Sequence, residues 1–196
     1  MPKLVLLAEF TGDTSEEVTK KLLDAKSALK NLPIKMRITK TEREAKKYWT
    51  LRRESFNLLR HHMKGFRTAP FIDDIIVKPD KLSEFLPALN AILDQYDLTY
   101  TIAGHVGDAN FHIIPLMKLS EPKSKEIISE LSKKVYKLVL DFGGSITAEH
   151  NDGLVRSPYI KMMYGEKVYK LFEETKRIFD PDTIFNPGKK VDSSLE

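Results

Sequence analysis

Two histidines in the middle of the sequence, His105 and His112, flank a Gly-Asp-Ala-Asn segment at residues 107–110. On one continuous strand, side chains seven residues apart point to opposite faces, so the two rings could not meet. Gly-Asp-Ala-Asn has the composition of a tight turn, however. A hairpin with this turn would place His105 opposite His112, with β-carbons about 4.5–5.5 Å apart. Two imidazoles at that separation could hold one metal ion or could pack on a sheet face without one, and the motif alone does not decide.

A carboxylate and a third histidine, Glu149 and His150, are adjacent at the end of a later segment, residues 143–150. Adjacent side chains of an extended chain point in different directions, so one can bind a metal while the other faces a substrate. Two histidines and one carboxylate make a three-ligand site with open positions, which is typical of catalytic metal sites. A neutral imidazole such as His150 is also a natural general base. Taken by itself, this motif favours a solvated pair in a surface loop, because loop residues of these types are usually just solvated.

The composition restricts the chemistry open to the chain. There is no cysteine among the 196 residues, which excludes disulfides, thiolate metal ligands and a cysteine nucleophile. The net charge of +4, from 32 basic and 28 acidic residues, favours anionic ligands slightly and does not indicate nucleic acid. The longest apolar runs are far shorter than the roughly 20 residues of a membrane span, and no secretory leader is recognisable. We expect a cytoplasmic protein, with peripheral contact to the inner membrane left open for the full-length protein.

The elements that must position these motifs alternate between short strands and longer helices. Thr41 and Glu44 have the spacing of a helix capping box, and Gly143 followed by Gly144 indicates a helix stop. The pattern predicts an α+β fold in one compact domain, residues 1–190, followed by a polar tail at 191–196. We expect strands at residues 3–10, 36–39, 75–78, 98–103 and 111–115, and helices at 15–32, 42–63, from 79 onward, 121–142 and 166–179.

Together these motifs resemble the C-terminal domain of the FAD-linked oxidase family, which includes D-lactate dehydrogenase, the glycolate oxidase flavin subunit and D-2-hydroxyglutarate dehydrogenase. The family's hallmarks are a His-x-Gly-Asp-Gly-Asn-x-His hairpin, a later Gly-Gly segment that ends in Glu-His, and an Asn-Pro-Gly-Lys near the C-terminus. The similar segments here are residues 105–112, 143–150 and 186–189, and residues 48–55 are similar to the family's Trp-x-x-Arg-Glu helix. The resemblance extends from about residue 3 to residue 190, and the ordered set of motifs is specific.

The resemblance implies a role for each matching position of the two histidine motifs. It implies that His105, His112 and Glu149 are the ligands of a divalent metal. Zinc, manganese and iron all accept such a set, so the sequence does not identify the metal. It also implies that His150 is the catalytic base that takes the proton of a substrate hydroxyl.

The resemblance further implies how substrate and cofactor are held. Arg52 matches the arginine that binds the substrate carboxylate, a role that suits a planar bidentate donor. Asn110 and Asn186 match positions that face the flavin edge. The implied fold is ferredoxin-like, an antiparallel sheet with helices packed on one face. The implied reaction is oxidation of a 2-hydroxy acid to a 2-keto acid, with hydride transfer to FAD.

The sequence departs from the family pattern in three places. Ala109 stands where the turn usually has glycine, and a positive φ there would cost alanine about 1 kcal/mol. Asn151-Asp152 replaces a commoner Gly-Ile. We expect the Asp152 carboxylate to be solvated, with an effect on substrate choice as the alternative. The family's substrate-binding lysine has no secure match, and Lys64 and Arg67 are candidates for its role.

We expect the N-terminal FAD-binding domain of this family to be absent from the chain. The nine glycines are scattered, with Gly143-Gly144 as the only pair, so there is no glycine-rich nucleotide loop. An excised domain, or a subunit that lacks its flavin-binding half, would be inactive by itself and would bind FAD weakly or not at all. The expected partners are a small 2-hydroxy acid and an FAD-binding domain or subunit, and a homodimer is left open.

Other functions remain as alternatives at this point. A metal-dependent hydrolase, or an inactive metal-binding domain, could use the same His-His-Glu site, and a hydrolase would turn over with metal alone. Ferredoxin-like sheets that bind RNA display aromatic residues on central strands beside basic residues. The predicted strands here lack that paired-aromatic signature, so we expect no nucleic-acid partner.

Overall fold

The computed structural model describes residues 4–194, except for the side chains of residues 55, 56 and 58–62. The chain divides into two compact units, unit 1 at Met1–His61 and unit 2 at His62–Glu196. No helix of the described chain is long and apolar enough to cross a membrane. The single domain over residues 1–190 stays a prediction.

Two helices make up the regular structure of unit 1, α1 at Ser15–Ala28 and α2 at Glu42–His62. Half of the predicted capping box of α2 is formed. Glu44 Oε2 accepts the N–H of Lys40, one residue before the cap, at 2.9 Å, whereas Thr41 Oγ1 accepts the Glu44 N–H at 3.2 Å as predicted. Such bonds satisfy backbone donors that the first turn of a helix leaves free. Both helices begin where the sequence predicts them to begin.

The two strands predicted for unit 1 are not formed. Residues 4–10 and 36–39 have no strand pairing, and apolar side chains such as Leu4 and Met36 are exposed. Alternating apolar residues specify which side chains would share a face, but a strand exists only where a neighbour completes its hydrogen bonds. The described part of unit 1 supplies no such neighbour, so this prediction is wrong. Lys3 lies outside the described residues.

Unit 2 is built on an antiparallel sheet whose central strand is β4, Asn110–Met117. β3, Thr99–His105, pairs along one edge of β4. β1, Arg67–Thr68, and β2, Ile72–Ile76, share its other edge. Every strand predicted in this half of the sequence is therefore present, with bounds shifted by a few residues.

The topology of unit 2 is ferredoxin-like. α3, Leu82–Leu93, connects β2 to β3, and α4, Pro122–Asp141, connects β4 to Ser145, which forms an antiparallel bridge with Ile76. The chain order is strand, helix, strand, strand, helix, bridge, and the spatial order is bridge, β2, β4, β3. This is the split βαβ arrangement. The predicted α+β fold is confirmed, but the ferredoxin-like order begins with β2 at Ile72 and not with a strand at residue 3.

One face of the sheet and the helices α3 and α4 enclose the main core. Phe111, Ile113 and Met117 of β4 are buried in one cluster with Phe85 and Leu89 of α3. Burial of each large apolar side chain stabilises the fold by about 1.5–3 kcal/mol. Because successive side chains of a strand point to opposite faces, the residues between these positions of β4 project away from the helices.

The end of α4 directs the chain toward the sheet. Gly143 has φ 67°, and its N–H bonds the Leu140 carbonyl at 2.9 Å while the Gly144 N–H bonds the Val139 carbonyl at 2.9 Å, a Schellman motif. A β-carbon on Gly144 would overlap the Ile76 carbonyl oxygen. The predicted helix stop is therefore confirmed, and its second glycine also allows the following segment to run against β2.

The remaining helices are α5, Gly153–Arg156, and α6, Ile160–Phe179. α6 is kinked at Gly165, where φ is 75° and ψ is 167°, so its long regular part begins at residue 166 as predicted. The chain beyond α6 has a buried anchor, because Val191 packs with Tyr169 in a small second core. The first residue of the predicted polar tail is therefore part of the folded unit.

Candidate functional site

The two histidines of the β3–β4 hairpin lie on one face of the sheet, but not in the predicted register. His105 pairs with Asn110, and His112 pairs with Ala103. The predicted pairing of His105 with His112 is wrong because the turn begins one residue earlier, at Val106, whose carbonyl closes a tight 3-10 turn. The side-chain period of a strand is two, so a displacement by two residues leaves both rings on the same face. Their centroids are 5.9 Å apart.

Two backbone positions make this hairpin possible. Ala109 is left-handed, with φ 53° and ψ 33°, and its N–H donates to the Val106 carbonyl at 3.0 Å. Alanine carries a strain of about 1 kcal/mol in this conformation, as expected where glycine is usual. Gly104 has φ 154°, and a β-carbon there would overlap the Asn110 carbonyl oxygen. The turn tolerates alanine at 109, whereas the strand needs glycine at 104.

A buried aspartate, Asp74, holds the segment that carries Glu149 and His150. Its carboxylate accepts the N–H groups of Ala148 and His150 at 2.9 Å and of Glu149 at 3.1 Å. Burial raises the pKa of Asp74, but these three donors and the nearby Arg156 guanidinium together bring the pKa below its ordinary value. The charged carboxylate thereby fixes the backbone of this segment against β2.

A second aspartate, Asp73, bridges the rings of His112 and His150. Its Oδ1 lies 3.0 Å from His112 Nδ1, and its Oδ2 lies 3.2 Å from His150 Nδ1. The two rings are stacked, with centroids 4.6 Å apart and planes inclined by 11°. Since Nδ1 of each ring faces Asp73, Nε2 of each ring is turned toward Glu149.

Three imidazole nitrogens approach one carboxylate oxygen, Glu149 Oε1. This oxygen lies 2.9 Å from His112 Nε2, 3.4 Å from His105 Nδ1 and 3.8 Å from His150 Nε2. The His112 side chain is 11% exposed, whereas those of His105, Glu149 and His150 are 50%, 45% and 48% exposed. The structure thus brings the three predicted metal ligands and the predicted base into one cluster that is open to solvent on one side.

The donors of this cluster fit a divalent transition metal. Imidazole nitrogens and carboxylate oxygens are the ligands of zinc, manganese and iron sites. Potential ligand atoms of Asp74, His112, Glu149 and His150 all lie within 4.8 Å of one another. Asp74 is a poor candidate because its oxygens already accept three backbone N–H groups. The donors that remain are His112, Glu149, His150 and the adjacent His105.

Adjacent aspartates reach the same site because β2 is irregular at this point. The register of β2 against β4 shifts between Ile72 and Ile75, and Asp74 has φ 62°. In a regular strand the two carboxylates would point to opposite faces, whereas a bulge re-aims side chains and is frequent beside active sites. The sequence reading missed both residues. Two acids inside the apolar run 71–77 were the available signal, since buried acids need partners.

Arg156 is a buried cation that the sequence reading also missed. Its Nη1 donates to the Asp73 carbonyl oxygen at 3.0 Å, its Nη2 contacts the Asn151 carbonyl oxygen, and Nη2 lies 3.8 Å from Asp74 Oδ2. A guanidinium in this position offsets the charge of the buried acids. No local pattern indicates this role, because the contact joins residues 83 positions apart.

The expectation for Asp152 is wrong, since its carboxylate is buried and not solvated. Asp152 is only 2% exposed and forms an ion pair with Lys190. The Lys190 N–H also donates to Ser157 Oγ at 2.7 Å. A buried carboxylate needs such a partner. The pair ties the C-terminal segment to the loop that follows His150.

Asn110 holds the hairpin to β2. Its amide nitrogen donates to Asp74 Oδ1 and to the Ile75 carbonyl, each at 3.3 Å, and its Oδ1 lies 3.3 Å from His105 Nδ1. These contacts place the His105 ring beside the cluster. The flavin contact implied for Asn110 stays a prediction.

Four further residues with implied roles lie on other segments. Arg52 is on α2 in unit 1. Asn186 is exposed, with φ 49°, and its Oδ1 accepts a hydrogen bond from Lys189 Nζ at 3.0 Å. Lys64 is exposed, and Arg67 is the first residue of β1. Their contacts with substrate or flavin stay predictions.

Comparison with known protein families tests the resemblance. A family model described as "FAD linked oxidases, C-terminal domain" matches residues 2–190. The chain belongs to this family. The resemblance that the ordered motifs indicated is therefore confirmed over nearly the whole sequence, including both histidine motifs and the Asn-Pro-Gly-Lys segment.

Several curated relatives of this FAD-linked oxidase C-terminal domain are longer proteins. D-2-hydroxyglutarate dehydrogenase of Pseudomonas putida is 32% identical over 187 residues, which cover 93% of this chain and 18% of that protein. D-2-hydroxyglutarate dehydrogenase of Haemophilus influenzae is 26% identical over 190 residues, which cover 93% of this chain and 18% of that protein. Glycolate oxidase subunit GlcD of Bacillus subtilis is 26% identical over 189 residues, which cover 95% of this chain and 39% of that protein. The chain thus spans under a fifth of the first two relatives and about two fifths of the third.

Proposed function

We propose that this chain is the substrate- and metal-binding domain of an FAD-dependent 2-hydroxy-acid dehydrogenase. The observation that carries the proposal is the approach of three imidazole nitrogens to Glu149 Oε1. Imidazole and carboxylate donors open to solvent on one side are what a catalytic metal site requires. The names of the relatives, which refer to 2-hydroxyglutarate and glycolate, support a 2-hydroxy acid as the substrate class.

His105, His112 and Glu149 are the proposed metal ligands. When bound, a divalent ion there would polarise the oxygen atoms of the hydroxy acid and acidify its hydroxyl. The half-exposed sides of His105 and Glu149 leave room for a substrate to approach the cluster. His112, which is buried, would provide the inner ligand.

His150 is the proposed general base. Its Nδ1 faces Asp73 Oδ2 at 3.2 Å, so the free nitrogen for proton transfer is Nε2, on the side of Glu149. His150 Nε2 would take the proton of the substrate hydroxyl, and FAD, when bound, would supply the acceptor for the hydride of carbon 2. The substrate loses one proton and one hydride and becomes the 2-keto acid. Asp73 stabilises the imidazolium that results, as a carboxylate behind a catalytic histidine does.

The other roles in this proposal come from the family pattern. Arg52 would bind the substrate carboxylate, and Asn110 and Asn186 would face the flavin. The FAD would be held mainly by a separate FAD-binding domain or subunit. A cytoplasmic location and the absence of a nucleic-acid partner remain parts of the same proposal, and a homodimer stays open.

Elemental analysis of the purified chain tests the metal site. We expect about one divalent transition metal per chain, and loss of most of it in His105→Ala and Glu149→Ala, because each change removes one of three protein ligands. Glu126→Ala, which removes an exposed carboxylate from α4, is the matched control and should leave the metal content unchanged.

The same measurement separates the proposal from its rivals. His150→Ala should keep its metal if His150 is a base, and should lose it if His150 is a fourth ligand. If His105→Ala, Glu149→Ala and His150→Ala all left the metal content unchanged, the proposal would lose its chemical basis. Turnover of ester or amide substrates by the metal-loaded chain alone would favour a hydrolase instead.

A further inference from the structure

The carboxylate of Asp73 contacts two histidines at once, and this contact affects which nitrogen of each ring carries the hydrogen. Its two oxygens are 3.0 Å from His112 Nδ1 and 3.2 Å from His150 Nδ1. An ionised carboxylate only accepts hydrogen bonds, and a neutral imidazole carries one N–H. A neutral ring that donates to Asp73 carries its hydrogen on Nδ1. The lone pair of its Nε2 then faces Glu149 Oε1, 2.9 Å away for His112 and 3.8 Å away for His150, as two ligands of one metal ion face each other.

Asp73 is itself held firmly. Its side chain is 11% exposed, its Oδ1 accepts the Asp74 N–H at 2.8 Å, and its carbonyl oxygen accepts Arg156 Nη1 at 3.0 Å. A hydrogen bond is electrostatically stronger in such a poorly solvated position than in water. The carboxylate can therefore impose its geometry on the two rings.

We propose that Asp73 is a positioning residue that fixes His112 and His150 in the Nδ1–H tautomer and aims both Nε2 atoms at Glu149. This inference rests on the proposed function. One carboxylate would determine which ring nitrogen His112 offers to the metal and which ring nitrogen His150 uses as the catalytic base. The stacking of the two rings, inclined by 11°, is the geometric result of this shared anchor.

The imidazole nitrogens of the metal-free chain, labelled with ¹⁵N at histidine, provide the direct test. Long-range proton–nitrogen correlation spectra distinguish the two tautomers, and His112→Gln and His150→Gln assign the signals. In the native chain we expect the Nδ1–H form at both rings. In Asp73→Asn the side chain can accept from one ring but must donate to the other, so at least one ring should change its tautomer.

Zinc affinity is the second readout, measured by competition with a chromophoric chelator. Loss of a partner that orients a metal ligand typically lowers affinity about 10–100-fold, and we expect a loss in this range for Asp73→Asn. Asp73→Glu, which keeps a carboxylate, should restore the Nδ1–H form and part of the affinity. Asp80→Asn removes an equal charge from the exposed turn Pro79–Lys81 and should change neither readout.

The outcomes separate this inference from the proposed function. Native rings in the Nε2–H form, or tautomers that Asp73→Asn does not alter, would overturn the positioning role. Nδ1–H rings in a native chain that binds no divalent metal would support the positioning role and contradict the metal site. Where Asp73→Asn does not fold, the tautomers of the native chain and of Asp73→Glu decide.

Discussion

Asp73 and Asp74 position the site in different ways, Asp73 through side-chain contacts and Asp74 through backbone contacts. Asp73 contacts the rings of His112 and His150, whereas Asp74 accepts three consecutive N–H groups from residues 148–150. The first contact sets which nitrogen each ring presents. The second sets where the loop that carries Glu149 lies. Both depend on the bulge in β2, without which the two carboxylates would lie on opposite faces of the sheet.

Asp74→Asn tests the second contact. The amide retains one acceptor oxygen, but its NH₂ group would face backbone N–H donors, and the charge beside Arg156 is lost. We expect the free energy of unfolding to fall by about 2–4 kcal/mol, because charged hydrogen bonds in a buried network are being broken. Urea unfolding measures this change, with Asp80→Asn as an exposed control expected within about 0.5 kcal/mol of the native chain. A similarly small change for Asp74→Asn would contradict the anchoring role.

At the level of elements, the sequence predicted helices better than strands, for a physical reason. The starts of α1 and α2 and the stop of α4 depend on local signals, such as Thr41 and the Gly143-Gly144 pair, which lie within the helix or beside it. A strand depends on a partner that the local sequence does not reveal. Residues 4–10 therefore have the pattern of a strand without forming one, and the strand predicted at 75–78 instead begins at Ile72 and contains a bulge.

The histidine site was predictable in its members but not in its register. Successive side chains of a strand point to alternate faces of the sheet. His105 and His112 therefore lie on the same face of the hairpin even though they do not pair directly. The start of the turn could not be predicted, because Val106 is not a typical turn residue and yet closes the 3-10 turn. Two acids in the apolar run 71–77 indicate that Asp73 and Asp74 need partners, but the partners of these acids, Arg156 among them, lie on distant segments and could not be assigned.

Gly104→Ala tests whether the close approach of the two hairpin strands positions His105. The new β-carbon would overlap the Asn110 carbonyl oxygen at a φ of 154°, so the strands must separate or shift. We expect a loss of at least about 2 kcal/mol in unfolding free energy and weaker zinc binding, since the next residue is a proposed ligand. Gly107→Ala is the matched control, because its β-carbon would meet no atom within 4 Å. Equal effects of the two substitutions would show that the close approach has no special importance.

At the scale of the whole molecule, the positions of the nine glycines matter for FAD binding, because glycine-rich loops commonly bind the phosphates of nucleotides. The only adjacent pair, Gly143-Gly144, is used to end α4 and to let the chain pass Ile76, so it serves the fold. The three relatives described above are longer than this chain, which spans 18–39% of their length. The family name refers to FAD, yet the residues given a flavin role here are two asparagines. Under the proposed function, this domain would present groups to the flavin edge and a partner domain would bind the phosphates of FAD.

The chain alone should therefore not retain FAD. We expect no stoichiometric FAD after gel filtration and no reduction of added FAD by D-2-hydroxyglutarate, D-lactate or glycolate, because hydride transfer needs a cofactor held against the substrate. Addition of the cognate FAD-binding domain should produce bleaching of the flavin absorbance with one of these acids, and His150→Ala should abolish the bleaching. The Glu126→Ala variant should behave as the native chain does. Tight one-to-one binding of FAD by these 196 residues would contradict this division of labour, since phosphate-binding groups would then have to lie within the chain itself.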